Sequence, residues 1–304
     1  MSKMAEETYT LVKKDDPTTS GFGYPHSADA NLAFPLHQNP TFLPPSILSS
    51  SLRQISLILL TITAGTITCL VLIRRLRLCH GPKKTISETA ATEWKMSYKA
   101  ISLVVNFLLG TLGTYHFFFT LPYHTITTER IEGHEDMAIL AKLQMAYQLW
   151  AIPMGLFFVD EPAEMLYHHV GVMVVGSLSA FFTNGFRYHD PFFFGLIESS
   201  SVPLVIMTVL KENPNVATRY PTANIVVSLS FCVLFLVTRV FMWLPQAYDF
   251  IRLAGLMCYT CSGFVCRVGF GSAITTCVFL TALQLVWAGK IMKGILDFVK
   301  VKKV

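Results

Sequence analysis

Two adjacent histidines, His168 and His169, lie in an otherwise apolar run, and Glu198 and Arg239 stand in later apolar runs. Imidazole gains or loses a proton near neutral pH. A carboxylate accepts protons and hydrogen bonds, and a guanidinium grips oxyanions through a planar fork. Hydrocarbon tolerates such groups poorly, so they are expected to face a bundle interior or cavity and to mark a site. Successive helical residues are about 100° apart, so His168 and His169 cannot both face one narrow space. One is expected to face the cavity while the other packs between helices. Glu198 is followed by Ser199, Ser200, Ser201 and Pro203, which loosen the helix and supply hydroxyls. Glu198 and Arg239 are expected at similar depth, where they pair or share a water-lined pocket. The competing readings are structural: an ion pair that sets helix register, and a histidine pair that hydrogen-bonds between helices. Asn106, His116, Tyr147, Gln148 and Gln284 are further polar candidates, each better suited alone to helix–helix hydrogen bonding.

The elements that must position these residues are helices in a bilayer. The chain has 304 residues, of which 52% are hydrophobic and 14% charged. A soluble domain carries about 25% charged residues. Mean hydropathy is +0.49, too apolar for a water-exposed surface, so an all-α polytopic membrane protein is predicted. Backbone polar groups must be satisfied within lipid, and strand-like alternation is absent, which favours helices over a barrel. Seven spans are predicted, at about 55–73, 98–121, 138–159, 165–182, 192–210, 222–243 and 272–296. Residues 1–50 are polar, rich in Pro, Ser and Thr, and read as a disordered tail without a cleavable signal. Residues 51–94 hold the first span and a basic linker from Arg74 to Lys95, residues 95–298 form a six-helix bundle, and 299–304 are a basic tail. No internal repeat supports an inverted-repeat transporter.

Charge placement orients the spans. Arg74, Arg75, Arg77, Lys83 and Lys84 follow the first span, and Lys290, Lys293, Lys300, Lys302 and Lys303 close the chain. The loop after the second span is acidic, with Glu129, Glu132, Glu135 and Asp136 against Arg130. The positive-inside rule then places the C-terminus in the cytosol and the N-terminus in a lumen or outside. Lys300 and Lys302 resemble a dilysine retrieval signal read by coat proteins, and serve equally well as an ordinary basic flank. Cys258, Cys261 and Cys266 cluster before the last span, either as a lumenal disulfide or as small packing residues. A zinc site is not expected, since no histidine is near. Between residues 245 and 271, Pro245, Asp249 and Arg252 argue against a plain span, and a re-entrant or interfacial element is predicted.

Glu164-Met-Leu-Tyr-His-His169, Glu198-Ser-Ser-Ser-Val-Pro203, Thr238-Arg-Val-Phe-Met-Trp-Leu-Pro245 and Leu283-Gln-Leu-Val-Trp287 together resemble the TLC-domain family over about residues 95–298. That family is shared by translocation-associated membrane proteins, ceramide synthases and lipid-regulating proteins. The resemblance implies a six-helix TLC-type bundle in the endoplasmic reticulum. Ceramide synthases carry a second His-Asp motif whose positions fall on Gly195 and Leu196 here, while His189-Asp190 comes too early. The resemblance is therefore to the non-synthase branch. The leading expectation is a protein that binds or regulates sphingolipids or phospholipids, with His168, His169, Glu198, Ser199 and Arg239 lining the cavity. One alternative is a ceramide-synthase-like N-acyltransferase with His168 or His169 catalytic and acyl-coenzyme A as co-substrate. Another is a factor assisting membrane protein translocation. No metal or resident cofactor is expected, and the expected partners are membrane lipids, not nucleic acid.

Overall fold

A computed structural model describes residues 44–76, 86–120, 131, 133, 135–261 and 263–301. It is built of helices. The first, α1 (Pro45–Arg75), starts at a proline whose fixed φ and missing N–H suit the first helical position, and it ends on Arg74 and Arg75, which favour the negative end of the dipole. The expected tail boundary at residue 50 is corrected: Pro45 to Ser50 are helical, and Ser51 is fully buried. Serines there read as a polar tail, yet Ser49 returns its hydroxyl to the Ser46 carbonyl at 2.9 Å. Residues 1–43 of the expected tail lie outside the described residues.

The second helix, α2 (Ile86–Tyr115), runs on through a π turn, His116–Thr120. It begins inside the expected basic linker, so that residues 86–95 are helical, and Glu93 on it is buried and pairs with Arg74 at 2.7 Å. The third, α3 (Glu135–Met154, then a π turn Gly155–Val159), packs against α1 and α2. Next come α4 (Ala163–Leu178, then a π turn Ser179–Thr183) and the short α5 (Asp190–Phe193). A 3-10 turn (Leu196–Ser200) leads into α6 (Ser201–Glu212). The expected single helix over 192–210 is thus broken at Phe194–Gly195, where Gly195 lies directly on the backbone of Gly113 in α2. The chain continues through α7 (Pro214–Arg219) and α8 (Pro221–Leu236). A π turn (Val237–Phe241) then joins α8 to α9 (Trp243–Thr260), and α10 (Phe264–Val301) closes the fold.

Where a re-entrant or interfacial element was expected at 245–271, the described residues form the helices α9 and α10. Residues Trp243, Ala247, Phe250, Leu253, Ala254 and Met257 recur at helical spacing and bury α9 against α10. The charges that argued otherwise are paired: Arg252 meets Asp249 at 3.3 Å, one turn away on the same helix. Cys261 and Cys266 form a disulfide across the turn joining α9 to α10. The basic tail expected from residue 299 begins in the last turn of α10, and Lys302 onward lies outside the described residues.

Two π turns close in the same way. Gly155-Leu-Phe-Phe-Val and Ser179-Ala-Phe-Phe-Thr are each followed by a residue in the left-handed region, Asp160 (φ 56°) and Asn184 (φ 55°). The next N–H in each case bonds back to the first carbonyl, Glu161 to Gly155 at 3.0 Å and Gly185 to Ser179 at 2.8 Å. Asp and Asn tolerate that conformation better than other non-glycine residues. The pattern spans only five or six residues, too short to register as an internal repeat.

Among the described residues, six helical courses are long and apolar enough to cross a bilayer by length and composition. The α3 course is not among them, although it is 25 residues long with its turn. Its side chains face protein more than lipid: Lys142, Gln144 and Gln148 are buried along with Tyr147 and Trp150. Contacts at the two ends order all the courses. One end gathers Arg74–Glu93, Lys99–Glu212 and Glu164–Lys290 ion pairs. The other gathers Gly133 against Thr183, Phe182 against Phe270, and the Cys261–Cys266 bridge. The α3 course follows Gly133 at one end and leads into Glu161 and Glu164 at the ion-paired end, so it runs between the same two ends as its neighbours. The protein is an all-α polytopic membrane protein.

Candidate functional site

At the centre of the bundle Glu198 and Arg239 pair, the Arg239 Nη2 donating to Glu198 Oε2 at 3.2 Å. Both are buried, with 4% and 5% of their surface exposed. Neither stands on regular α-helix: Glu198 sits in the 3-10 turn before α6 and Arg239 in the π turn after α8. Such turns often mark functional positions, because they re-aim side chains that a regular helix would turn elsewhere. The serines following Glu198 complete the pairing. Arg239 Nε donates to Ser200 Oγ at 2.8 Å and Nη2 to Ser201 Oγ at 2.9 Å. Ser201 in turn donates to Glu198 Oε2 at 2.6 Å, and Gln144 Nε2 of α3 reaches Oε1 at 3.3 Å. The cluster is close to neutral and joins three elements, which offsets the desolvation of its two charges.

The histidines belong to a second cluster nearer the basic end. His169 Nε2 lies 3.3 Å from Glu161 Oε2, which also accepts a hydrogen bond from Tyr98 at 3.0 Å. The Tyr147 ring meets His169 edge-on at 6.3 Å, and its hydroxyl donates to Ser102 at 3.0 Å. His168 turns the other way, its ring 5.4 Å from Trp287. Gln144 and Tyr147 are one helical turn apart on α3, so that helix touches both clusters. His189 and Asp190 are fully buried at the opposite end of α4. Asp190 Oδ2 there accepts from Ser179 Oγ at 2.6 Å and from the Phe186 N–H at 3.0 Å, which ties the loop to α4.

Two spaces touch these residues. The first, beside His168, is about 20 Å³ and is walled by Phe193, Phe194, Trp243 and Phe250. A space of roughly 10–15 Å³ holds one water, so no acyl chain fits. The second is a groove of about 660 Å³ between α2, α6 and α8, within the roughly 300–1,000 Å³ of small-molecule sites. The helix α6 packs against both α2 and α8, and the groove opens over it. Ser199 lines this groove with Gly110, Pro203 and Ser230. Of the five expected cavity residues, Ser199 reaches the groove, His168 the small void, and His169, Glu198 and Arg239 line neither. The single chamber expected from the sequence is thus two unequal spaces separated by a polar brace.

Residues 95–293 match the family model described as the TLC domain (TRAM/LAG1/CLN8). The chain belongs to the TLC-domain family. No curated protein and no solved structure matches it significantly. The TLC domain begins inside α2 and ends inside α10, so α1 lies outside the match.

Sequence reasoning missed Gln144, Glu161, Tyr98 and Ser102. Glu161 falls between the predicted spans 138–159 and 165–182, outside the apolar runs where polar residues stand out. The spacing of Gln144, Tyr147 and Gln148 along one face of α3 was the available signal.

Proposed function

We propose that this TLC-domain protein binds a membrane lipid in the groove over α6 and acts in lipid homeostasis as a regulator, not as an acyltransferase. The observation that carries the reading is the groove itself, a large space whose outer rim includes Phe107, Tyr115 and Phe119, all exposed on the flank of α2. Behind it the Glu198–Arg239 brace holds the 3-10 turn from which Ser199 projects, so the wall keeps its shape when a lipid leaves. Acyl transfer would need a proton acceptor within reach of a bound substrate. His168 instead faces a void of about 20 Å³, and the position of the synthase motif is taken by Gly195 packed on Gly113.

Native mass spectrometry of the purified chain tests this. Wild type should retain lipid through detergent exchange, whereas Ser230→Trp or Ile206→Trp, which fill the groove, should lower retention at least tenfold. Leu57→Trp on the exposed side of α1 should leave it unchanged. Equal retention by all the variants would remove the groove from the account.

The same reading places the protein in the endoplasmic reticulum with the basic end cytosolic. Arg74, Arg75, Lys99, Lys211 and Lys290 are supported there by the positive-inside rule, and the disulfide at the other end suits an oxidising lumen. Lys300 and Lys302 would then be open to coat proteins. A C-terminal epitope should be digested by protease added outside sealed microsomes. Protection of that epitope would reverse the orientation.

A further inference from the structure

We infer that the groove selects an uncharged, hydroxyl-bearing lipid of the diacylglycerol type over phospholipids. The inference rests on the lipid-binding reading above and adds what the lipid must carry.

It starts from hydroxyl groups in hydrocarbon. A serine or threonine in a membrane helix ordinarily returns its proton to the carbonyl one turn back. This chain follows the rule widely: Thr61, Thr63 and Thr68 on α1 and Thr275 and Thr281 on α10 all do so, at 2.7–2.9 Å. Thr111, Ser199 and Ser230 do not, and neither do Ser51 and Ser97, which are buried away from the groove. Thr111, Ser199 and Ser230 make no hydrogen bond to the protein among the described residues, and all three line the groove. Thr114, also in the lining, gives its proton to Gly110 O at 2.6 Å, so toward a ligand its oxygen serves as an acceptor. Hydroxyls without partners in lipid are unfavourable, and a ligand offering both donors and acceptors satisfies them.

Charge then narrows the class. The groove lining contains no Lys, Arg, His, Asp or Glu. Arg239 lies behind it, but its Nε and Nη2 are held by Ser200, Ser201 and Glu198. A phosphate pairs best with a guanidinium or ammonium, and none faces this space. Depth points the same way. Thr111 lies about 13 Å along α2 from Thr120, at 1.5 Å per residue, and Ser199 packs at the level of Gly110. A ligand that reaches these hydroxyls must carry its polar group below the headgroup region. A lipid ending in a hydroxyl with ester carbonyls can sink to that depth, and a phosphate cannot without losing its hydration.

The test compares two lipids that differ in this group alone. The full chain in nanodiscs is labelled with a diazirine-bearing diacylglycerol, with unlabelled diacylglycerol or phosphatidic acid of the same chains as competitor. Labelling is expected in the peptides of α2, α6 and α8, and diacylglycerol should compete at least tenfold better than phosphatidic acid. The triple variant Thr111→Val, Ser199→Ala, Ser230→Ala should keep labelling but reduce the preference to within twofold; Thr111→Val alone should reduce it partly. Equal competition by phosphatidic acid in wild type overturns the inference and leaves lipid binding intact. Failure of this probe and of a matching phosphatidic acid probe to label the groove overturns the lipid-binding reading as well.

Discussion

Replacing Arg239 with leucine should lower stability by about 3–5 kcal/mol, the cost of leaving one member of a buried ion pair uncompensated. Glu198 would retain Ser201 and Gln144 as donors, but nothing would neutralise its charge at that depth. Glu198→Leu should be nearly as harmful, because Arg239 would keep only the serine oxygens. The double variant Glu198→Leu, Arg239→Leu should recover much of the loss, since two apolar side chains of similar volume often replace such a pair without net cost. Thermal unfolding in detergent of the four proteins gives the coupling directly. Additive losses would mean that the pair contributes nothing as a unit. Arg239→Lys offers a milder probe. It keeps the charge but lacks the fork that holds Ser200, Ser201 and Glu198 together, so it should fall between wild type and leucine.

Gly113→Ala should be as damaging through shape alone. A Cβ there would come within 2.2 Å of the Gly195 Cα, a backbone atom with no rotamer to yield. The loss expected is about 3 kcal/mol, at the upper end of overpacking, and Gly195→Ala should match it because its Cβ would meet the Gly113 Cα at 2.3 Å. Gly255 and Gly289 supply the contrast. Nothing lies within 4 Å of a Cβ at either position, and both are in helices, so alanine should raise stability by about 0.5–1 kcal/mol. Opposite signs at these two kinds of glycine, read by thermal unfolding, would establish that the α2 crossing is set by close backbone approach. The same crossing positions Ser199, whose Oγ would be 2.9 Å from a Cβ on Gly110.

The helical courses were legible because apolar runs near 20 residues admit few other structures in lipid. Even the course through Lys142 and Gln144 was recognised as a span, although in the structure it owes its place to burial among α1, α2 and α4. What misled was local polarity read without its partners. Asp249 and Arg252 suggested an interface, but they pair one turn apart on a regular helix, and Asp249 also lies 3.8 Å from the buried His189. The break at Gly195 was hidden because its cause, Gly113, lies far away in the chain. At the site, Glu198 and Arg239 stood out as charges in apolar surroundings. Glu161, Tyr98 and Gln144 did not, since each looks ordinary until the fold brings a partner to it. The groove left no trace in composition, because it is a gap between helices lined by common side chains.

A structure of the wild-type chain in lipid nanodiscs by electron cryomicroscopy tests the central claim most directly. Ordered, elongated density over α6, between α2 and α8 and touching Ser199 and Ser230, is the expected result, with that density absent in Ser230→Trp. A groove closed by the side chains of α2 and α8, or occupied by nothing better ordered than the lipid around α1, would contradict it.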